Sequence, residues 1–190
     1  MKVVGVGAGP GLLTQEAISV LQGADLVYGS DRAIELARPY IRDGCLVHQI
    51  EDYRSLRDLP GSAVVLSTGD PMLSGLGYLG GQIVPGISSL QLACARLGVS
   101  LLRTVPITFH GRRMEPESVA DELRRGRCVF LLTDESTDMA GLCRYLEEGG
   151  LSRKIAVLTD LGYPQERIQQ GFTCTPLAVP GLSCVMIGDW

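Results

Sequence analysis

Apolar stretches alternate with helical patterns through the first half of the chain. Strands are predicted at residues 2–6, 24–28, 45–50, 63–67 and 82–84. Helices are predicted at residues 13–21, at 31–38 just before Pro39, and at the amphipathic segment 88–97. Because strands and helices alternate, this half predicts a mostly parallel sheet with helices on both faces.

The rhythm of the pattern changes near residues 99–106. Helices are predicted beyond it at residues 116–125 and 137–148. The last three predicted strands lie within residues 154–160, 166–172 and 182–189. Short connections join these three strands, which favours antiparallel pairing among them.

The two patterns predict two α/β lobes. The first lobe would cover residues 1–103 with a mostly parallel sheet, and the second would cover residues 104–190 with a mixed sheet. A boundary between lobes is a favoured place for a ligand, so we expect a cleft between them.

Composition narrows the class of protein. Of the 190 residues, 45 % are hydrophobic and 20 % are charged, with a formal net charge of −4. These values are typical of a soluble globular protein and provide no overall basic field for nucleic acid. No apolar run approaches the ~18 residues of a transmembrane helix, and the start lacks the pattern of a signal peptide. We expect a cytoplasmic protein with no nucleic-acid partner and no membrane partner.

The cysteines and histidines show no metal-binding spacing. None of the six cysteines forms a C-x-x-C pair, and neither His48 nor His110 stands at ligand spacing from a cysteine. Several cysteines fall inside apolar patterns, as in "RCVFLL" and "LSCVMI". We therefore predict reduced cysteines that act as small hydrophobic residues, and no metal site.

Three glycine-bearing loops follow predicted strands. They read "GVGAGPG" at 5–11, "STGDP" at 67–71 and "VPGISS" at 84–89. The first loop fails the dinucleotide fingerprint, since its third glycine position holds Pro10 or Leu12. Taken alone it fits a structural turn and a ligand contact equally well. Loops after the carboxyl ends of parallel strands converge, so together the three predict a ligand site.

Single polar residues of these loops, and of the later segment "FHGR", allow two interpretations. Asp70 precedes Pro71, and its carboxylate could cap backbone N–H groups of the next turn or accept a bond from a ligand. Ser88 could cap the helix at 88–97 and still leave free N–H groups for a ligand. His110 could be a structural residue or a general base, and Arg112 and Arg113 beside it could bind carboxylates.

The order of these motifs resembles the tetrapyrrole (corrin/porphyrin) methylase family. The resemblance rests on "VGVGAGPG" at 4–11, "LSTGDPMLSG" at 66–75, "VPGISSLQLACARLG" at 84–98, "FHGR" at 109–112 and "VFLLTD" at 129–134. It implies the two-lobed tetrapyrrole-methylase fold, with S-adenosyl-L-methionine as methyl donor and S-adenosyl-L-homocysteine as product. The donor-binding residues that it implies are Ala8, Gly69, Asp70, Leu73, Ser88, Ser89 and Leu132. His110 and Arg112 would be the catalytic candidates.

Within that family the chain looks most like the C5-methyltransferases of the cobalamin pathway, which act on precorrin-6Y or cobalt-precorrin-7. The resemblance then implies a corrinoid substrate, a homodimer, and a separate protein for C15 methylation and decarboxylation. It departs from the family at residues 75–82, where relatives carry a longer helix and the substrate wall would differ. The alternatives are a family member acting on another ring position or on a protein histidine, and a nucleotide-binding regulatory module without chemistry.

Overall fold

The computed structural model describes residues 1–109, 111 and 113–190. Its internal contacts divide the chain into two compact units, Met1–Ser89 and Leu90–Trp190. Each unit contains one five-stranded sheet. The lobe boundary expected at residue 103 stays a prediction.

The first unit is built on a parallel sheet. Its strands are β1 (Lys2–Gly5), β2 (Leu26–Gly29), β3 (Leu46–Gln49), β4 (Val64–Ser67) and β5 (Gln82–Val84), in the spatial order β3-β2-β4-β1-β5. Its helices are α1 (Gln15–Gln22) and α2 (Asp31–Ala37). Every pair of neighbouring strands is parallel, so all carboxyl ends lie at one edge of the sheet.

Side-chain caps begin both helices of the first unit. The Thr14 hydroxyl accepts a bond from Ala17 N at the start of α1, and the Ser30 hydroxyl accepts one from Ala33 N at the start of α2. Such caps satisfy N–H groups that have no partner within the helix. Ala17 and Leu21, predicted from their four-residue spacing, are fully buried.

The second unit is built on a mixed sheet. Its strands are β6 (Thr104–Thr108), β7 (Cys128–Leu132), β8 (Lys154–Thr159), β9 (Arg167–Phe172) and β10 (Ser183–Gly188), in the spatial order β6-β7-β10-β8-β9. Strand β6 pairs with β7 in parallel, and the other neighbours pair antiparallel. The predicted antiparallel pairing of the last three strands is therefore confirmed.

The remaining helices are α3 (Ser89–Leu97), α4 (Pro116–Arg124) and α5 (Met139–Glu148). The buried side chains of α4 and α5 pack with those of the second sheet in one apolar cluster. Leu123, Leu142 and Leu146 are at most 1 % exposed. Truncating a buried leucine of this kind to alanine costs about 2–5 kcal/mol of stability.

Element boundaries differ from the sequence pattern by one or two residues. Strand β2 begins at Leu26 rather than residue 24, because Ala24 N donates to Leu21 O in the turn after α1. Helix α5 begins at Met139 rather than residue 137, because the Asp138 carboxylate caps it by accepting a bond from Gly141 N at 2.8 Å.

No helix within the described part of the chain is long and apolar enough to cross a membrane.

Candidate active site

The three glycine-bearing loops meet at the carboxyl edge of the first sheet. Gly7 and Gly69 exchange two main-chain hydrogen bonds of 3.2 and 2.8 Å, which joins the loops after β1 and β4. Ala8 N donates to Ile87 O at 2.9 Å, which joins the loop after β1 to the one after β5. Main-chain bonds thus hold all three loops in one cluster.

Close approach between these loops explains two of the glycines. A Cβ atom on Gly86 would overlap the carbonyl oxygen of Gly69. A Cβ atom on Gly5 would lie 2.5 Å from Gly86 N. Both glycines are therefore required for the close packing of one loop on another.

Gly69 differs from these two glycines. Its φ is +68°, a left-handed conformation that favours glycine, and the nearest atom to an added Cβ is Ser88 Cα at 4.0 Å. Gly69 thus presents its Cα to open space beside the residues that precede α3.

Asp70 joins the loops after β4 and β5 through its side chain. Oδ1 accepts a bond from Met72 N at 2.7 Å, and Oδ2 accepts one from Gly86 N at 3.1 Å. The Asp70 carboxylate therefore caps a backbone N–H group of the next turn, and it also binds one in a second loop. A carboxylate oxygen has more than one lone pair, so a direct contact between Asp70 and a ligand stays a prediction.

The other five predicted donor-binding residues are divided between the two units. Ala8 and Ser88 are each 4 % exposed, while Leu73 and Ser89 are partly buried. Ser89 begins α3, whose first N–H groups have no partner within the helix. The structure therefore brings six of the predicted residues, including Gly69 and Asp70, to one edge of the first sheet. Leu132, the seventh, ends β7 in the second unit.

The two predicted catalytic candidates, His110 and Arg112, lie outside the described residues. The structure does describe both sides of His110. Phe109 is buried and donates its N–H to Leu132 O at 2.9 Å. Gly111 N donates to Asp134 Oδ2 at 2.7 Å.

Asp134 is a residue that sequence reasoning did not single out. Its Oδ1 accepts bonds from Ser136 N, Ser136 Oγ and Thr137 Oγ1 at 2.9, 2.6 and 3.2 Å. The Ser136 hydroxyl, followed by the Gly111 amide, lowers the pKa of Asp134 to about 2. The available signal was an aspartate just after a strand, followed by "EST", a pattern typical of side-chain-to-backbone turns.

A groove of about 440 Å³ opens next to the segment that follows Arg112. It is lined by Arg113, Met114, Glu115, Pro116, Glu117 and Tyr145. The Tyr145 hydroxyl donates to Glu117, whose carboxylate also pairs with Arg124 at 2.8 Å. Glu117 at the start of α4 and Arg113 just before the helix therefore place acidic and basic groups beside this groove.

The cysteines are free thiols, and Cys94, Cys128, Cys143 and Cys184 are buried. Burial raises the pKa of Cys143 to about 11 and that of Cys184 to about 12, so both stay protonated at neutral pH. Among the residues that the structure describes, no three His, Cys, Asp or Glu side chains are grouped to hold a metal ion.

Comparison with known proteins identifies the family. The family described as Tetrapyrrole (Corrin/Porphyrin) Methylases matches residues 2–173. The chain therefore belongs to the tetrapyrrole methylases and is a methyltransferase of that family.

Two curated relatives are named for cobalamin-pathway reactions. A protein of Methanocaldococcus jannaschii named probable cobalt-precorrin-7 C(5)-methyltransferase is 31 % identical over 86 % of this chain and 85 % of its own. A protein of Mycobacterium tuberculosis named precorrin-6Y C(5,15)-methyltransferase [decarboxylating] is 30 % identical over 92 % of this chain. The match covers 48 % of that second relative, so the chain spans about half of its length.

Solved structures share the fold. A cobalamin biosynthesis precorrin-6Y methylase from Archaeoglobus fulgidus matches with a TM-score of 0.78 and 25 % identity, over 99 % of this chain and 96 % of that one. A uroporphyrin-III C-methyltransferase from Thermus thermophilus, complexed with S-adenosylhomocysteine, matches with a TM-score of 0.73 and 21 % identity, over 98 % and 96 %. The predicted family and α/β fold class are thereby confirmed.

Proposed function

We propose that this chain transfers a methyl group from S-adenosylmethionine to C5 of a corrin precursor, cobalt-precorrin-7 or precorrin-6Y, in cobalamin biosynthesis. The names of the two curated relatives support the substrate class and the ring position. The observation that carries the proposal is the cluster of three loops with Gly69 open at its centre. Such a cluster presents main-chain groups to a ligand at the carboxyl edge of a parallel sheet.

The donor would bind where those loops meet. The space beside Gly69 admits a ligand against the main chain, next to Ser88 and the start of α3. Asp70 would hold the pocket in shape through Met72 and Gly86, whether or not it also contacts the donor. The other residues of the first unit proposed to line the pocket are Ala8, Leu73, Ser88 and Ser89, and a donor contact by Leu132 of the second unit stays a prediction.

The chemistry asks for positioning rather than for an enzyme nucleophile. S-adenosylmethionine supplies a methyl group that is already activated, and S-adenosylhomocysteine is left as product. In-line placement of an acceptor carbon is worth up to ~7–11 kcal/mol in favourable cases. The protein's task is therefore to hold the acceptor and to remove the proton that leaves it, for which His110 is the candidate base.

The acceptor would be held through its carboxylates. Corrin precursors carry many acidic side chains, and guanidinium groups bind carboxylates through paired hydrogen bonds. Arg112 is the predicted contact, and Arg113 lines the neighbouring groove. Local arginines of this kind would bind an anionic substrate despite the net charge of −4.

The first relative is named for the C(5) reaction alone, whereas the second is named for C(5,15) and decarboxylation. A separate protein for the C15 step stays a prediction. A homodimer and a cytoplasmic location stay predictions, and light scattering of the purified protein tests the first.

Mass spectrometry with isotopically labelled S-adenosylmethionine and a pool of corrin precursors tests the function. We expect a single labelled methyl group on a corrinoid, placed at C5 by NMR. Label at another ring position, or on protein histidine, would assign a different reaction within the family. Binding of S-adenosylhomocysteine with no transfer to any substrate would favour a regulatory module. Tight binding of NADH without binding of S-adenosylhomocysteine would show that the proposed donor site is wrong.

A further inference from the structure

The loops after β6 and β7 are tied together beyond the end of their strands. Strands β6 and β7 run parallel, so both loops leave the same edge of the second sheet. The last ladder pair is Thr108 with Leu132. Beyond it, the Gly111 amide donates to Asp134 Oδ2 at 2.7 Å. One carboxylate thus reaches from the loop after β7 to the turn after β6.

The orientation of that carboxylate is set by its own loop. Asp134 Oδ1 accepts three bonds from Ser136 and Thr137, and Asp134 N donates to Thr137 Oγ1 at 3.1 Å. These bonds hold one oxygen within the 134–137 turn, so the second oxygen stays directed at Gly111. A bond from an amide to an ionised carboxylate is among the stronger hydrogen bonds in proteins.

The bond is not needed to hold the sheet together. Five residue pairs join β6 to β7, ending with Thr108 and Leu132. Val129 and Leu131 are fully buried in the core beneath them. Leu132 is also paired on its other side, with Cys184 of β10. Removing the Asp134 carboxylate would therefore release the Gly111 turn while leaving β7 in its place.

We propose that Asp134 is a positioning residue for the methyl acceptor. Its carboxylate holds the amide of Gly111, which stands in the sequence between His110 and Arg112, the two residues predicted to act on the acceptor. This inference rests on the proposed function, because the acceptor is the corrin precursor named there. Asp134 acts through its neighbours and needs no contact with the reacting atoms.

The test compares Asp134→Ala with Asp138→Ala, a control from the same segment. Ser136→Ala removes one of the donors that orient the carboxylate, so it is expected to weaken the bond to Gly111 without abolishing it. Asp138 lies four residues after Asp134 in the chain, and Asp138→Ala removes the side-chain cap at the start of α5. Asp134→Asn keeps one acceptor oxygen, so an intermediate effect is expected from it.

Three measurements are made on each variant: hydrogen exchange of the Gly111 amide by NMR, the kinetics of corrinoid methylation, and calorimetry of S-adenosylhomocysteine binding. For Asp134→Ala we expect loss of exchange protection at Gly111 and a fall in kcat/KM for the corrinoid of about ten- to a hundredfold, as misplacement of a catalytic group causes. The affinity for S-adenosylhomocysteine should change by less than about twofold, since the three loops proposed to hold it lie in the first unit and Leu132 stays paired with Cys184. The control Asp138→Ala should behave like the parent protein.

Unchanged exchange at Gly111 in Asp134→Ala would overturn the inference, whether or not any corrinoid is methylated. So would an equal loss of corrinoid turnover in Asp138→Ala, or an equal loss of S-adenosylhomocysteine binding in Asp134→Ala. A parent protein that methylates no corrinoid would refute the proposed function instead, and the exchange measurement would still decide whether Asp134 holds the Gly111 turn.

Discussion

The two units join their post-strand loops with different shares of main-chain and side-chain contacts. In the first unit, Gly7 bonds to Gly69 and Gly86 packs against Gly5 and Gly69 without room for a side chain, and the Asp70 carboxylate adds one tie to Gly86. In the second unit, the loops after β6 and β7 meet through the Asp134 side chain. A main-chain cluster resists substitution by steric overlap, whereas a side-chain tie can be removed by one truncation that leaves the sheet intact.

The comparison suggests a division of roles. In the proposed function, the main-chain cluster of the first unit would hold the donor. The Asp134 tie of the second unit would position residues that are predicted to act on the acceptor. Substitutions in the two units should therefore affect different properties of the protein.

Gly86→Ala should have the largest effect. The new Cβ would overlap the Gly69 carbonyl, so the loops after β4 and β5 must separate. Overpacking of this kind costs about 3 kcal/mol or more, and we expect a lower melting temperature together with lost S-adenosylhomocysteine binding. Gly23→Ala is the control, because its Cβ would lie 3.7 Å from the nearest oxygen, an ordinary contact. Normal donor binding by Gly86→Ala would show that the loops are not a rigid cluster.

Gly69→Val separates backbone strain from the donor site. Gly98 has φ +67°, close to the +68° of Gly69, and an added Cβ at Gly98 would meet nothing within 4 Å. Gly98→Val is therefore a matched control for strain, which costs about 1–2 kcal/mol at either position. We expect both variants to melt earlier by similar amounts in a thermal scan. Only Gly69→Val should lose affinity for S-adenosylhomocysteine, by about tenfold or more, because the added side chain fills the ligand's space. Equal affinities in the two variants would place the donor elsewhere.

Arg112→Ala should affect the acceptor alone. Losing a charge-assisted bond to a substrate carboxylate costs roughly 1.5–3 kcal/mol, or about ten- to a hundredfold in kcat/KM. Arg112→Lys should restore only part of the loss, since an ammonium group cannot reproduce the planar guanidinium fork. Steady-state kinetics with varied corrinoid and varied donor measure the two sides separately. Unchanged corrinoid kinetics would show that the segment "FHGR" has a structural role only.

The pH dependence of the Asp134 tie should be the smallest effect. The pKa of this carboxyl is lowered from 3.8 to about 2 by hydrogen bonds, so it is ionised in the folded protein at all neutral pH values. A depressed pKa contributes stability that is fully present above the unfolded value and is lost as pH falls towards 2. We expect the difference in melting temperature between the parent and Asp134→Asn to be constant from about pH 6 to pH 9 and to shrink below about pH 4. A difference that changes between about pH 6 and pH 9 would point to another titrating group.

Local sequence patterns predicted many of the helices, strands and loops of this protein. The spacing of Ala17 and Leu21 predicted their buried face, and the strand at 82–84 was predicted with the bounds that the structure has. The order of the glycine loops indicated both the family and the sheet edge at which six predicted donor residues lie. These features follow from interactions within one element, or from the rule that parallel strands end at a common edge.

Only the tertiary structure decided which atoms meet between the loops. The sequence offered the Gly86 loop as a ligand contact, but the neighbour of Gly86 is the Gly69 carbonyl. It left Asp70 between two roles, and the structure shows it bonded to both Met72 and Gly86. Asp134 passed unnoticed because its partner, Gly111, is 23 residues away and contributes only a main-chain amide. Every residue except proline carries such an amide, so residue types alone do not reveal which of them a carboxylate will bind, and the packing of the folded chain makes that choice.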